Sequence, residues 1–283
     1  IQSLSPNDIG RQLANTHTIF AIIAVLIELP FTGKLIWLAE KIVPVLPEEN
    51  QQMEDRSLVY MTQLTKVPAP VALRQTQREI TRMGHIAADN LQRALDCFFH
   101  YNSAKAASVR SHEESVNILN HLIADAMVDL RSLDLSPENM RRVSMMTIAV
   151  TDIERLSDHA ENIVEYIEQM NAKKAEMSDA ARKELIDMSK DAMDAVYMAL
   201  DIFEKDDYNK LDQIEILEQH VDDHEKDLIN NHIERIMNSL CNPLSAVIFS
   251  DLVTDLERCS DHAINLAYAL KERPSEMDAP KII

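Results

Sequence analysis

Apolar side chains recur every three or four residues along most of this chain, which is the spacing of one face of an α-helix. From Val71 onward this pattern predicts six long helices separated by short polar breaks. They cover about 71–101, 105–132, 137–171, 179–204, 208–239 and 243–271. Ser136 and Ser178 stand where helix N-caps are expected, and Pro137 suits the first helical position. The third helix carries a bundle seam that comprises Ile153, Leu156, Ala160, Ile163 and Ile167.

The second triplet of predicted helices repeats the first. Thr151–Asn162 reads TDIERLSDHAEN and Thr254–Asn265 reads TDLERCSDHAIN, so nine of twelve positions are identical. The pattern predicts an all-α fold, in which a tandem pair of three-helix units forms a six-helix bundle with short connections. Helix packing requires only that core positions stay apolar, so packing does not explain why a string of polar residues is repeated. We therefore expect functional residues in this string.

Composition and charge narrow the class of protein. Three glycines and 5% aromatic residues in 283 residues disfavour β-structure, which needs turn residues and aromatic or β-branched strands. The net charge of −19 repels phosphate backbones, so no nucleic-acid partner is expected, whereas a cation-binding surface suits this charge. Cys97, Cys241 and Cys259 are odd in number and lack CxxC spacing, which predicts reduced thiols in a cytoplasmic compartment.

Carboxylates stand one helical turn apart in both repeats. The predicted metal ligands are the residues of four such turns: Glu154 and Asp158, Glu257 and Asp261, Glu113 and Asn117, Glu218 and Asp222. Like charges at this spacing destabilise an isolated helix by about 0.2–0.5 kcal/mol a pair, and a shared divalent or iron-type cation would remove that cost. The competing interpretation is a solvated acidic face, and the duplication favours the metal.

The histidines of the doubled string leave two interpretations open. His159 and His262 each follow the second aspartate, so they point about 100° away from the acidic turn. They could swing in as metal ligands, or hydrogen-bond to Asp152, Asp255 or the bundle partner. A carboxylate-bridged di-iron enzyme needs Glu-x-x-His pairs, and here the histidine lies five residues after Glu154, so the prediction is that the chain is not an enzyme.

A second histidine pair has the spacing of zinc ligands. His220 and His224 stand at i and i+4, but the first repeat has Ser115 and Leu119 at the equivalent positions. The HVDDH stretch also lacks the glutamate of the metalloprotease motif. We therefore predict that these two histidines lie on the surface.

The amino-terminal part differs in kind. Ile19 to Leu38 is mostly apolar and is about long enough to cross a bilayer, although Pro30 interrupts it. It predicts an apolar helical hairpin, either membrane-inserted or buried in a soluble protein. The chain opens at Ile1 without a signal-peptide layout, which favours a piece of a longer polypeptide.

The doubled ExxxD turn on the third helix of each unit, with the Glu113–Asn117 and Glu218–Asp222 turns, resembles the PhoU family over roughly residues 75–272. The resemblance implies a six-helix bundle with pseudo-twofold symmetry, metal clusters of iron, zinc or magnesium at the acidic turns, and a role in phosphate uptake or signalling. Carried over to this chain, the resemblance implies seven ligands: Glu154, Asp158, Glu257, Asp261, Glu113, Glu218 and Asp222. Asn117 replaces the aspartate that internal symmetry predicts, so that site is expected to be poorer.

Residues 11–46 are similar to the end of the membrane part of bacterial sodium–phosphate cotransporters, on Ala14-Asn15, His17, Phe20, Leu29-Pro30-Phe31 and the Lys41–Pro44 exit. The predicted organisation is 1–46 membrane end, 47–70 linker, 71–172 and 173–273 PhoU-like repeats, and 274–283 tail. The resemblance implies a metal-binding regulatory domain of a sodium-dependent phosphate symporter in the inner membrane, with 47–283 cytoplasmic. Its partner would be the transport domain of the same polypeptide, with a phosphate-sensing partner and a homodimer as further options. The alternative is a free-standing PhoU-type signalling adaptor.

Overall fold

The computed structural model describes residues 9–32, 34, 54–61 and 63–271, and all regular structure within them is helical. The helices are α1 (Ile9–Glu28), α2 (Ala69–Phe99), α3 (Ser103–Arg131), α4 (Pro137–Lys173), α5 (Asp179–Lys205), α6 (Leu211–Met237) and α7 (Pro243–Tyr268). The all-α prediction is confirmed. The fifth predicted helix starts three residues late, because Tyr208–Lys210 forms a separate 3-10 turn before α6.

Short polar side chains start the bundle helices where the sequence places them. The Ser136 hydroxyl accepts a hydrogen bond from the backbone N–H of Asn139, and the Ser178 hydroxyl accepts one from that of Ala181. Each such cap satisfies one backbone donor that the first helical turn leaves without a partner. Both predicted N-caps are therefore confirmed.

Helices α2 to α7 form one bundle. In the first repeat α2 packs against both α3 and α4, and in the second repeat α5 packs against α6 and α7. The repeats meet through α4 against α7 and α2 against α5. The predicted seam is buried, with Ile153, Leu156, Ala160 and Ile163 no more than 1% exposed. The doubled polar string therefore lies on the two helices, α4 and α7, that join the repeats.

Helix α1 belongs to a separate compact unit, residues 1–51. Its apolar side chains are exposed, among them Phe20 and Leu26, and a 3-10 turn at Leu29–Phe31 follows it at Pro30. Ala14–Phe31 is the one stretch of the described residues long and apolar enough to cross a membrane, a test that signal sequences near an N-terminus also pass. The second arm of the predicted hairpin lies outside the described residues.

Residues 54–61 and 63–67 form a strap that packs against the first repeat. Met61 and Leu64 are buried in its core. The fully buried carboxylate of Glu79 on α2 accepts hydrogen bonds from the backbone N–H groups of Val59 and Tyr60, at 2.8 and 2.5 Å. This part of the predicted linker is therefore held against α2 by apolar burial and by one buried acid.

Replacing Glu79 with alanine is expected to loosen the strap, because two backbone N–H groups and the Arg82 guanidinium lose their acceptor. Leaving buried donors without an acceptor costs about 1–3 kcal/mol. The loss of stability stays within that range, because the strap can detach and its N–H groups can then bond to water. The measurement is limited proteolysis, in which the rate of cleavage near Ser57 should rise several-fold. Glu114→Ala removes only an exposed ion-pair partner of Arg56, so equal cleavage in both variants would contradict the expectation.

Candidate functional site

The doubled string presents two different polar faces. On α4, Glu154, Asp158 and Glu161 lie along one stripe at i, i+4 and i+7, beside the acidic turn of α3. Asp152, Arg155 and His159 lie along another, and they turn toward α7. The equivalent residues of α7, at an offset of 103 positions, divide in the same way, except that Ile264 stands where α4 has Glu161.

The first acidic face brings together the predicted ligands of the first repeat. Burial raises the pKa of the Glu113 carboxyl, and repulsion by Glu161 and Asp158 of α4 raises it further. Burial and then Asp158 raise the pKa of Glu154. The Asn117 side-chain amide donates a hydrogen bond to Glu113 Oε1, which occupies one of the oxygens that a cation would use.

The second acidic face brings together four predicted ligands. Burial raises the pKa of Glu218, followed by repulsion from Asp222 and Asp261. Burial likewise raises the pKa of Glu257, followed by Asp261, Glu225 and Asp222. Lys226 Nζ lies 3.8 Å from Asp222, a weak contact within one helix. This face has a carboxylate where the first face has Asn117.

The chemistry of both acidic faces fits a cation with oxygen ligands. Half-buried carboxylates repel one another here, and a hard divalent or iron-type ion would offset that repulsion. Within the part of the chain that the structure describes, no three His, Cys, Asp or Glu side chains converge on one point, so side chains would have to rotate to surround an ion. The eight ligand assignments and the metal stay predictions.

The raised carboxyl pKa values predict how stability depends on pH without metal. A carboxyl whose folded pKa lies above its unfolded value binds protons more tightly when folded, so the free energy of unfolding rises as pH falls through the folded pKa. Relative to Glu154→Gln/Glu257→Gln, the wild type should be less stable by about 0.5–1 kcal/mol at pH 7, from two like-charge pairs. The difference should vanish near pH 4. Urea unfolding in chelator measures it; a pH-independent difference would contradict it.

The histidines of the string cross over between the repeats. His159 Nδ1 hydrogen-bonds to Asp255 Oδ1 at 3.0 Å, and His262 Nδ1 hydrogen-bonds to Asp152 Oδ1 at 2.9 Å. Of the two open interpretations, the hydrogen bond to Asp152 or Asp255 is the one observed, and it links α4 to α7. The seven-residue spacing of aspartate and histidine puts both on one face of each helix, but it does not identify the partner of either histidine.

The two crossed pairs differ in one respect. Tyr166 donates a hydrogen bond to Asp255 Oδ2 at 2.9 Å, whereas the equivalent position of the second repeat is Ala269. Consequently the other oxygen of Asp152, Oδ2, is buried without a hydrogen-bond partner among the described residues. The two pairs thus consist of the same residue types, but only Asp255 receives a second hydrogen bond.

Between α4 and α7 lies a groove of about 720 Å³, which we call the inter-repeat groove. Four equivalent pairs and two further acids line it: Arg155 and Arg258, Asp158 and Asp261, His159 and His262, Asn162 and Asn265, Glu161 and Asp255. The sequence contained these residues as repeated letters but gave no sign that they face one another. The other histidine pair is apart from this groove, with His220 exposed and His224 Nδ1 3.3 Å from Asp191 on α5.

Comparison with known proteins finds the same architecture. The family model described as PhoU domain matches the chain twice, at residues 80–167 and 185–270. The phosphate-specific transport system accessory protein PhoU homolog 1 of Thermotoga maritima is 23% identical over 189 residues, which is 66% of this chain and 81% of that protein.

Two crystal structures are similar in fold. PhoU from Pseudomonas aeruginosa gives a TM-score of 0.65 at 20% identity, covering 70% of this chain and 94% of that one. The phosphate transport system regulatory protein PhoU from Streptococcus pneumoniae gives 0.64 at 17% identity, covering 72% of this chain and 95% of that one. Both likenesses extend over the bundle and thus agree with the duplicated helical architecture.

Proposed function

This chain belongs to the PhoU family, and from that premise we propose that it is a metal-binding regulator of phosphate uptake that acts as a PhoU-type adaptor. The observation that carries the proposal is the pair of family matches, each of which contains an acidic face at an equivalent position. The relatives are named as accessory or regulatory proteins of phosphate transport systems. An adaptor role therefore accords with them better than a transport role.

The acidic faces supply a physical basis for regulation. Each face joins the second and third helix of its repeat, so its repulsion weakens the contact between those helices. A bound cation would neutralise the face. The carboxylates of Glu113 and Asp158, or of Glu218 and Asp261, could then approach, and the packing of α3 on α4 and of α6 on α7 would depend on metal. A partner that contacts these helices would respond to that change.

A membrane-attached regulator is the second candidate, and helix α1 is the observation that favours it. Its apolar side chains are exposed, and Ala14–Phe31 has the length and composition of a membrane span. In this candidate the bundle would regulate a sodium–phosphate cotransporter to which α1 belongs or binds. The two candidates differ in whether regulation needs residues 1–53.

The proposal is tested in a bacterial strain that lacks its own PhoU protein, with a phosphate-starvation reporter as the readout. The full chain is expected to restore repression at high phosphate. Glu154→Gln/Asp158→Asn/Glu257→Gln/Asp261→Asn should abolish the repression and lower the metal content measured by elemental analysis. Exposed acids of the same chain provide the matched control, Asp125→Asn/Glu138→Gln/Asp223→Asn/Glu234→Gln, which should leave both unchanged.

The outcomes separate the parts of the proposal. Failure of the full chain to restore repression would contradict the adaptor role. Repression by the full chain but not by residues 54–283 would favour the membrane-attached candidate. Equal metal content in the acidic-face and control variants would contradict the assigned ligands, even if repression is restored.

A further inference from the structure

Two histidines, one from each repeat, stand side by side at the inter-repeat groove. The ring centres of His159 and His262 lie 5.9 Å apart, and the ring planes are inclined by 34°. Each Nδ1 is engaged by an aspartate of the opposite helix. Within the described residues, the side-chain hydrogen bonds of both rings are made by Nδ1 and none is made by Nε2. Each ring therefore has one unused nitrogen at the groove.

The aspartates select the tautomer of these rings. A carboxylate accepts the hydrogen of Nδ1, so a neutral imidazole held in this way carries its lone pair on Nε2. Histidines that bind metals almost always donate their other N–H to a carboxylate or carbonyl, which orients the ring and strengthens the ligand. Asp255 is itself oriented by Tyr166 at 2.9 Å. Both histidines thus have the support that metal-binding histidines have.

The charge of the groove favours a cation over an anion. Four carboxylates line it, those of Asp158, Glu161, Asp255 and Asp261, against two guanidinium groups. An oxyanion such as phosphate would meet a negative field unless the acids were neutralised first. Asp158 lines the same groove as His159 and His262. A carboxylate is therefore near the histidine pair.

We propose that His159 and His262 together bind one transition-metal ion of the zinc class in the inter-repeat groove, separately from the two acidic faces. Two metal–nitrogen bonds of about 2.0–2.1 Å span at most about 4 Å between ring nitrogens. Ring centres 5.9 Å apart allow this span when the two Nε2 atoms turn toward each other. Nitrogen ligands select zinc, cobalt or nickel over magnesium and calcium. Water completes the coordination.

The site would join the repeats, because one ligand comes from α4 and the other from α7. It goes beyond the proposed regulation of phosphate uptake, since it would exist whatever the protein regulates. It also differs from the acidic faces in ligand chemistry, which makes the two kinds of site separable by experiment.

The test uses the full 283-residue chain, stripped of metal with a chelator. Zn²⁺ affinity is measured by competition with a chromogenic chelator, and Co²⁺ absorption reports nitrogen ligands. Glu113→Gln/Glu154→Gln/Glu218→Gln/Glu257→Gln should retain one tightly bound ion per chain. His159→Asn/His262→Asn should weaken the binding of that ion at least 100-fold. An asparagine amide can still donate to the aspartate where Nδ1 did, so the variant removes Nε2 while keeping the crossed hydrogen bonds.

The chain offers a matched control in its other histidine pair. His220→Asn/His224→Asn makes the same chemical change and should leave Zn²⁺ affinity unchanged. In the wild type, Zn²⁺ should shift the ¹⁵N resonances of the Nε2 atoms of His159 and His262, a readout that does not depend on a variant folding.

Positioning by the aspartates gives a further readout. Asp255→Asn should weaken binding about 10–100-fold, the usual effect of removing a carboxylate behind a metal-binding histidine. Unchanged affinity in His159→Asn/His262→Asn, unmoved Nε2 resonances, or loss of the ion in the Glu→Gln variant would each overturn the proposal. The last outcome would assign the ion to the acidic faces.

Discussion

Replacing Asp255 with alanine is expected to lower the free energy of unfolding by about 2–5 kcal/mol. The substitution removes the acceptor of two donors, His159 Nδ1 and the Tyr166 hydroxyl. Each buried donor left without a partner costs about 1–3 kcal/mol, so two such donors account for about 2–5 kcal/mol. Because His159 is only 7% exposed, water cannot readily replace the lost acceptor.

The second repeat provides the comparison for this prediction. Asp152→Ala removes the acceptor of His262 alone, and the His262 side chain is 22% exposed, so it can reach water. This substitution should cost at least about 1 kcal/mol less than Asp255→Ala, since one fewer donor is left unsatisfied. Tyr166→Phe removes only the hydroxyl that donates to Asp255, and it should cost about 1 kcal/mol. Urea unfolding in the presence of chelator measures all three variants, and an equal loss for the two aspartates would show that the asymmetry has no energetic consequence.

Replacing Gly84 with leucine is expected to cost about 3 kcal/mol or more. Gly84 lies on α2 where α2 meets α5, and a Cβ there would overlap Leu200 Cδ2 and lie 3.4 Å from Ile153 Cδ1. Leu200 and Ile153 are both fully buried. Overpacking of such a core typically costs about 1–3 kcal/mol, and a leucine adds three carbons beyond the Cβ that already overlaps. The repeats cannot keep their close contact at this point.

Smaller changes calibrate the effect of Gly84. Gly84→Ala should cost about 0–2 kcal/mol, because the higher helix propensity of alanine offsets about 1 kcal/mol of overpacking. Ala124→Leu adds similar bulk at an exposed position of α3 and should change stability by less than about 0.5 kcal/mol. Leu200→Ala should be less harmful in the Gly84→Leu background than in the wild type, since it makes room. Thermal and urea unfolding measure the stability of the wild type, the two single variants and the double variant. Strictly additive effects of Gly84→Leu and Leu200→Ala would contradict the clash.

The helices and the duplication were predictable because both are local in origin. Apolar spacing, the caps at Ser136 and Ser178, and the prolines that follow the caps act within a few residues of one another. The two largest differences between the predicted and observed helix bounds, three residues each, are also local. A 3-10 turn at Tyr208–Lys210 precedes α6, and α7 ends at Tyr268 before a final turn.

The acidic faces were predictable in part. Residues four apart on a helix must be neighbours, so the pairing of Glu154 with Asp158 follows from spacing alone. That α3 would bring Glu113 to the same place followed from the resemblance and from the equivalent turn in the second repeat. The Asn117 hydrogen bond to Glu113 depends on side-chain placement that no spacing rule contains.

The amino-acid sequence was sufficient to predict six helices, their duplication and the rows of acidic residues along them, because each of these depends on neighbours one or two helical turns away. The partner of His159 could not be predicted in that way. Asp152 lies seven residues earlier on the same helix, about 10 Å away along its axis, so the hydrogen bond had to come from another element. Because α4 packs against α7, the partner comes from the other copy of the same string. The same packing creates the inter-repeat groove, in which the residues of α4 lie more than ninety positions from those of α7.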